Sequence, residues 1–137
     1  MGQFEVSLRL VVTGKIPNAG LEVLRQAGFT PDAWMNDTAI SRQELLEKVK
    51  GADVLVTLLT ERVDEELLQA AGPQLKAVCN VAVGYNNIDV AACKSRNVLV
   101  TNTPGVLTDA TADIAMALIL MVTHRLAEGE RVIRSQT

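Results

Sequence analysis

A glycine-centred segment, residues 81–89, has the composition of a ligand-binding turn between a strand and a helix. It follows a short apolar run, residues 75–79, and precedes a stretch with helical character, so the turn is predicted at the carboxyl end of a strand. Ligands bind at that edge of open α/β sheets. Gly84 permits close backbone approach or a positive φ, and with Val83 and Tyr85 it can direct backbone N–H groups at an anion such as a carboxylate.

The same segment also has a purely structural interpretation. A glycine between a strand and a helix often serves only to make the corner, and Asn86 and Asn87 are common turn and helix N-cap residues. The spacing alone leaves both interpretations open.

The composition excludes several functional classes. With 137 residues, of which 48% are hydrophobic, the chain is large enough for one domain with a substantial core. The formal net charge of -3 provides no basic surface for nucleic acid. Cys79 and Cys93 form no metal-binding pair, and we expect buried free thiols of a reducing compartment.

Neither a signal peptide nor a membrane span is predicted. Residues 1–12 contain Glu5 and Arg9 and lack the basic and uninterrupted apolar regions of a signal peptide. The longest apolar run, residues 114–122, is shorter than the ~20 residues that cross a bilayer. We therefore expect a cytoplasmic protein without a membrane partner.

Strands and helices alternate five times along the first hundred residues. The predicted strands cover residues 8–12, 29–35, 53–59, 75–79 and 98–101. Pro17 opens and Gly28 closes the first helix, the second has a Ser41–Glu44 capping box, Asp64 caps the third, and the fourth covers residues 88–95. This alternation with short connections predicts an α/β fold with an open, doubly wound parallel sheet and helices on both faces.

A long helix is predicted after a compact turn at residues 102–105. Thr108 caps it, and no breaker interrupts it before about Arg134, which gives a length of roughly 40 Å. Residues 114–122 are apolar all round, a pattern typical of a helix covered on every side. Because one sheet covers one side only, we expect either a piece of a larger protein or an obligate oligomer.

Two alternative functions of the same strand order can be compared with the residues. A receiver domain needs acidic side chains where this chain has Val12-Thr13-Gly14 and Thr57-Leu58-Leu59, so no Mg²⁺ site is predicted. A flavodoxin needs a phosphate loop, of which Thr13-Gly14 is only a fragment, and aromatic residues make up only 3% of the chain. A flavodoxin-like electron carrier stays open as an alternative.

Catalytic motifs are missing from the chain. The sequence contains neither Gly-x-Gly-x-x-Gly nor a P-loop. The only histidine, His124, lies late in the last helix without a nucleophile placed to use it. Asp109 and Asp113 fall in the first turns of that helix, where the dipole favours negative charge. No catalytic residue and no metal site are therefore predicted.

Several motifs follow one another in a specific order. They are TLLTERVD at residues 57–64, VAVGYNNID at 81–89, VLVTNT at 98–103, PGVLTDATAD at 104–113 and Arg134-Ser135. In this order they resemble the amino-terminal part of a D-2-hydroxyacid dehydrogenase of the glyoxylate/hydroxypyruvate reductase type. The resemblance covers nearly the whole chain.

The resemblance implies a flavodoxin-like substrate-binding domain over residues 1–104 and a linker helix over residues 105–137 that leads toward a Rossmann cofactor domain. By this comparison, the backbone N–H groups of Val83 and Gly84 hold the substrate carboxylate. Leu59 walls the substrate pocket, and Thr111 lies close to the nicotinamide. The family's fingerprint glycines and its catalytic Arg, Glu and His come later than residue 137.

The activity implied for the parent enzymes is NAD(P)H-dependent reduction of glyoxylate or hydroxypyruvate, with a small 2-oxo or 2-hydroxy acid as ligand. Hydride transfer needs a bound cofactor and a proton donor. We therefore expect a truncated substrate-binding domain that binds no NAD(P)H tightly and does not oxidise NADH with glyoxylate. The alternative is a stand-alone interaction module that self-associates, as a dimer or by domain swapping, through the helix over residues 108–134.

Overall fold

The computed structural model describes residues 8–135. Within them the chain forms five strands and six helices: β1 (Leu10–Val12), α1 (Asn18–Gln26), β2 (Asp32–Ala33), α2 (Arg42–Lys48), β3 (Val54–Thr57), α3 (Glu65–Ala71), β4 (Ala77–Asn80), α4 (Val90–Ser95), β5 (Leu99–Thr101), α5 (Thr108–Thr123) and α6 (Leu126–Ser135). The chain divides into two compact units between Thr103 and Pro104. The signal-peptide prediction concerns residues 1–12, of which 1–7 lie outside the described part.

The first unit is built on one parallel sheet. Its strand order is β2-β1-β3-β4-β5, with Val12 opposite Val56 and Thr57 opposite Asn80 in the register. The connections run outward in opposite directions from β1 and β3, which creates a crevice at the carboxyl ends of these two strands. The predicted flavodoxin-like, doubly wound architecture is confirmed.

Alternate side chains of the sheet pack on opposite faces because the side-chain period of a strand is two residues. Val11 and Leu55 belong to the cluster that includes Leu45 of α2, Leu67 of α3 and Cys93 of α4. On the other face a second cluster contains Leu10, Val12 and Val56 with Leu21 of α1. Helices therefore cover both faces, as the sequence predicted.

The caps of α2 and α3 follow the sequence, and that of α4 differs from it. Ser41 and Glu44 form the predicted capping box at α2, and Asp64 accepts a hydrogen bond from the backbone of Leu67 at the start of α3. Helix α4 is capped by Asp89, whose side chain accepts from the Ala92 N–H, and not by Asn86 or Asn87. The N-cap interpretation of this asparagine pair was therefore wrong.

The second strand is much shorter than the predicted residues 29–35. The N–H of Phe29 bonds to the Leu24 carbonyl, and Gly28 adopts φ +88°, so these residues complete the carboxyl end of α1. Pro31 has no N–H for a sheet ladder. Only Asp32 and Ala33 pair with β1 as a strand.

The predicted unbroken helix over residues 108–134 is also wrong. α5 ends at Thr123, Arg125 adopts φ +53°, and α6 begins at Leu126 at an angle of 64° to α5. The Thr123 hydroxyl donates to the Ile119 carbonyl at 2.9 Å, a back-bond that is common at helix bends. Nor is Thr108 the cap, because Leu107 holds that position without a side-chain bond.

The apolar run of α5 is exposed in the second unit. Ile119 is 55% and Val122 76% accessible, and no residue of α5 or α6 is buried. Within residues 8–135, no single helix has the length and apolar character to cross a membrane. The two helices meet those two criteria only when taken together as a bent pair.

The two cysteines are free thiols, as predicted, but their environments differ. Cys93 is buried and Cys79 only half-buried. Burial raises the pKa of the Cys93 thiol, and the nearby Asp89 carboxylate raises it further. Cys93 is therefore a protonated core residue at neutral pH and a poor nucleophile.

The ion pairs around Asp64 generate a prediction on stability. Arg42 donates to Asp64 and to Glu66, at 2.6 Å for the latter, and so joins the start of α2 to the start of α3. Burial tends to raise the pKa of the Asp64 carboxyl, but the bonds from Arg42 and the Leu67 N–H hold it below its usual range. Asp64→Ala removes the cap and the ion pair and should lower the free energy of unfolding by ~1–2 kcal/mol. Asp64→Asn retains a capping oxygen and should lose less.

The pH dependence of the free energy of unfolding distinguishes the contribution of the Asp64 charge from that of its capping hydrogen bond. A lowered folded-state pKa gives stability that is fully present above the unfolded value of about 4 and is lost as the pH falls through the folded value. Urea unfolding of the wild type between pH 7 and pH 3 should therefore show a steeper acid loss than that of Asp64→Asn. Equal stability of the Ala and Asn variants at pH 7 would contradict the capping role.

Candidate functional site

Polar side chains are buried at the carboxyl edge of the sheet. Thr13 follows β1, Thr57 ends β3, Asn80 ends β4, and Glu61 lies in the loop after β3; each is at most 4% exposed. Buried polar groups require hydrogen-bond partners. Among the described residues no buried side-chain nitrogen or oxygen lacks one. This edge is therefore a rigid, internally bonded platform.

Glu61 lies in the crevice between β1 and β3. One of its carboxylate oxygens accepts from the Thr13 hydroxyl at 2.8 Å and from the Leu58 N–H at 2.6 Å, and the other accepts from the Thr60 hydroxyl. A flavin phosphate at this point of a flavodoxin-like sheet would face an acidic side chain. The geometry does not support the electron-carrier alternative.

Gly14 adjoins the same crevice. A Cβ atom at this position would lie 2.3 Å from Cδ1 of Leu58, so glycine allows that side chain to pack against the backbone after β1. The Thr13-Gly14 pair therefore serves packing against the loop after β3, and Leu58 occupies space that a phosphate loop would need.

Asn87 joins the loop after β3 to the turn after β4. Its side-chain amide donates to the carbonyls of Leu58 and Glu61 at 3.1 and 2.9 Å, and its side-chain oxygen accepts from Asn80 at 3.1 Å. The backbone adds two bonds, from the Val63 N–H to the Asn87 carbonyl and from the Asp89 N–H to the Val63 carbonyl, both 2.8 Å. The two loops therefore hold one fixed arrangement.

The carbonyl groups of the turn point toward the end of β5. The Ala82 carbonyl accepts from the Thr103 N–H at 2.9 Å, and the Val83 carbonyl accepts from the side-chain amide of Asn102 at 2.8 Å. All peptide bonds of the described chain are trans, so each N–H points opposite to the carbonyl of its own peptide group. The N–H groups of Val83 and Gly84 consequently point away from the segment after β5 that binds these carbonyls.

These two N–H groups have no acceptor among residues 8–135, and both residues are exposed. Gly84 does not have a positive φ, contrary to one of the two reasons that the sequence suggested for a glycine there. Apart from Gly84 itself and its two neighbours in the chain, no described atom lies within 4 Å of the position that a Cβ would occupy. The chain's own packing therefore does not require glycine, and the open space beside it permits a ligand to approach the two amides closely.

The other predicted site residues lie in both units. Leu59, 59% exposed, follows β3 at the same edge of the sheet as Gly84. Thr111 is an exposed residue of α5, in the second unit. His124 follows the last residue of α5. Among the described residues, no three His, Cys, Asp or Glu side chains are grouped so that they could hold a metal ion. The assigned roles of Leu59, Val83, Gly84 and Thr111 stay predictions.

Sequence reasoning did not identify the side chains that hold the turn. The missed residues are Thr13, Glu61, Asn80, Asn87 and Asn102. Four of them lie at or within four residues of a strand's carboxyl end, and polar residues at such positions are the signal that was available. Some of their hydrogen bonds span long stretches of sequence. Asn102 and Val83 are 19 residues apart, and Thr13 and Glu61 are 48 residues apart, so a local pattern cannot reveal these bonds.

The chain is similar to known proteins over most of its length. The family model described as D-isomer specific 2-hydroxyacid dehydrogenase, catalytic domain, matches residues 10–132. The glyoxylate reductase of Thermococcus onnurineus is 47% identical over 127 residues, which cover 93% of this chain. The chain spans 37% of the length of that relative.

Solved structures show the same fold. The TT0316 protein from Thermus thermophilus matches with a TM-score of 0.81 at 35% identity, over 93% of this chain and 40% of that one. D-lactate dehydrogenase from Aquifex aeolicus, complexed with NAD and lactic acid, matches with a TM-score of 0.70 at 24% identity, over 93% of this chain and 37% of that one. The family model covers most of the chain, and on that ground the chain belongs to the D-isomer specific 2-hydroxyacid dehydrogenases.

Proposed function

We propose that this chain is the substrate-binding part of an NAD(P)H-dependent reductase of small 2-oxo acids, with glyoxylate or hydroxypyruvate as substrate. The single observation that carries the proposal is the pair of unbonded N–H groups of Val83 and Gly84. Two adjacent backbone donors beside open space suit a carboxylate, which accepts two hydrogen bonds at its two oxygens.

The surroundings of the two amides favour a small ligand with one apolar side. Leu59 is an exposed apolar side chain at the same edge of the sheet, and it would wall the pocket on the β3 side. The absence of a side chain at Gly84 would let the carboxylate reach the backbone. A 2-oxo acid of two or three carbons is small enough and carries the carboxylate that such a site would bind.

The proposal assigns this chain substrate binding and no turnover of its own. NAD(P)H supplies the hydride in enzymes of this family, and the chain lacks the dinucleotide fingerprint that would hold it. Thr111 is the one residue that we assign to the nicotinamide side. No acid or base of this chain is assigned to the proton transfer. A cytoplasmic location is part of the same proposal.

A second candidate function, self-association with another copy of the chain, rests on the exposed apolar surface of α5. Isolated exposed apolar residues are ordinary, but a contiguous apolar surface usually marks an interface. On α5 the exposed set is contiguous: Ile114, Met116, Leu118, Ile119, Leu120, Met121 and Val122. A second copy would cover this surface symmetrically.

Gly84→Ala tests the carboxylate site. The added methyl group meets no atom of the described chain, so the free energy of unfolding should stay the same or rise by up to ~1 kcal/mol. The same methyl group would occupy the space of the ligand, and affinity for glycolate, measured by ligand-observed NMR, should fall about tenfold or more.

Gly129→Ala in α6 is the matched control, because its Cβ also meets no atom within 4 Å. It should bind glycolate as the wild type does. Unchanged affinity in Gly84→Ala would show that the ligand does not lie against this residue.

Ile119→Lys tests self-association. Multi-angle light scattering should give a dimer or larger assembly for the wild type and a monomer for the variant at equal concentration, since a buried unpaired ammonium opposes the interface. Val23→Lys, at a 64% exposed apolar position of α1, is the control and should leave the assembly unchanged. A monomeric wild type would overturn this second candidate.

A further inference from the structure

The side-chain amide of Asn102 makes one hydrogen bond within the described chain, and that bond goes to the turn. It donates to the Val83 carbonyl at 2.8 Å across 19 residues of sequence. Asn102 is half-buried and lies between Thr101, which ends β5, and Thr103, whose N–H bonds to the Ala82 carbonyl, so its backbone is held on both sides. A rigid element therefore holds one peptide group of an otherwise exposed turn.

The peptide group that Asn102 holds is the one that contains the Gly84 N–H. The Val83 carbonyl and the Gly84 N–H belong to the same planar unit, and rotation of that unit would move both. The neighbouring unit, with the Ala82 carbonyl and the Val83 N–H, is held separately by the Thr103 backbone at 2.9 Å. Of these two bonds, only the one from Asn102 comes from a side chain and can be removed by simple substitution.

We infer that Asn102 is a positioning residue for carboxylate recognition, which it serves by orienting the Gly84 N–H toward the ligand. This inference rests on the proposed function of the Val83 and Gly84 amides. Preorganised donors bind an anion without the loss of entropy that ordering a mobile peptide would require. Asn102 also withdraws the Val83 carbonyl, whose oxygen would otherwise be free to turn toward the ligand and repel it.

The direction of this bond also suits its proposed task. A side-chain amide that donates to a carbonyl polarises the peptide group and strengthens its N–H as a donor, since hydrogen bonds in a chain reinforce one another. Asn80 acts in the same way on the next peptide, where its amide donates to the Gly84 carbonyl at 2.9 Å, but Asn80 is buried and also bonded to Asn87. Asn102 therefore permits the cleaner test.

The experiment compares Asn102→Ala and Asn102→Asp with the wild type in titrations with glycolate and with its neutral analogue glycolamide. Both variants remove the donor, and Asp nearly preserves the shape of Asn. We expect glycolate affinity to fall about tenfold in both, as for the loss of one hydrogen bond that orients a donor. Glycolamide, which has no carboxylate, should bind the wild type and both variants equally weakly, and the free-state amide resonance of Gly84 in ¹H–¹⁵N spectra should shift in the variants.

Asn86→Asp is the control for charge, because it adds the same negative charge at an exposed position of the same turn. It should retain more of the glycolate affinity than Asn102→Asp. Unfolding curves at the titration temperature establish that each variant is folded, and if Asn102→Ala is not, the near-isosteric Asn102→Asp carries the comparison.

Each outcome decides between defined claims. Wild-type binding together with full affinity in Asn102→Ala, or in Asn102→Asp if that variant carries the comparison, would overturn the positioning role and leave the proposed function intact. Equal weakening by Asn86→Asp and Asn102→Asp would also overturn it, since charge alone would then explain the loss. A wild type that does not bind glycolate would instead overturn the proposed function, and the positioning role with it.

Discussion

Hydrogen bonding of buried polar groups at the carboxyl edge of the sheet determines the shape of the candidate site. Thr13, Thr57, Glu61 and Asn80 are buried among apolar strands, where an unsatisfied polar atom costs ~1–3 kcal/mol. Thr13, Glu61 and Asn80 find partners in the loops that follow β1, β3 and β4, and the Thr57 hydroxyl donates to the side-chain oxygen of Asn80 at the end of β4. The hydrogen bonds to the edge of the sheet therefore fix the arrangement of these loops.

The turn after β4 illustrates the consequence. Its carbonyl oxygens are engaged from within the chain, two by the segment after β5 and one by Asn80. The corresponding N–H groups of Val83 and Gly84 are left without an acceptor in the described chain and face the opposite side. A backbone segment whose carbonyl groups are bonded within the chain and whose N–H groups are not can bind an anion without a charged side chain.

The architecture was predictable because local patterns carry it. Apolar runs for β3 and β4, the Ser41–Glu44 capping box and the Asp64 cap all identify their elements within a few residues. The second strand was predicted too long because Phe29 is apolar, whereas its N–H bonds to the Leu24 carbonyl at the carboxyl end of α1. The break between α5 and α6 was missed because it occurs at Arg125, which adopts a left-handed conformation. Neither a glycine nor a proline at this position indicates a helix end in the sequence.

The site was only partly predictable for a related reason. Gly84 could be recognised from its place between a strand and a helix, although the structure shows that a positive φ is not why glycine is there. The asparagines that hold the turn act through the sheet topology, which brings the ends of β4 and β5 together. A sequence pattern names such residues as polar loop positions, and only the fold gives them partners.

The central claim is that the amides of Val83 and Gly84 receive a carboxylate. Its most direct test is a residue-resolved ¹H–¹⁵N shift map of the wild-type chain with glycolate and, separately, with glycolamide. The largest shifts with glycolate should fall on Val83 and Gly84 and be nearly absent with glycolamide. Shifts that are largest elsewhere in the chain, or equal for the charged and neutral ligands, would contradict the claim.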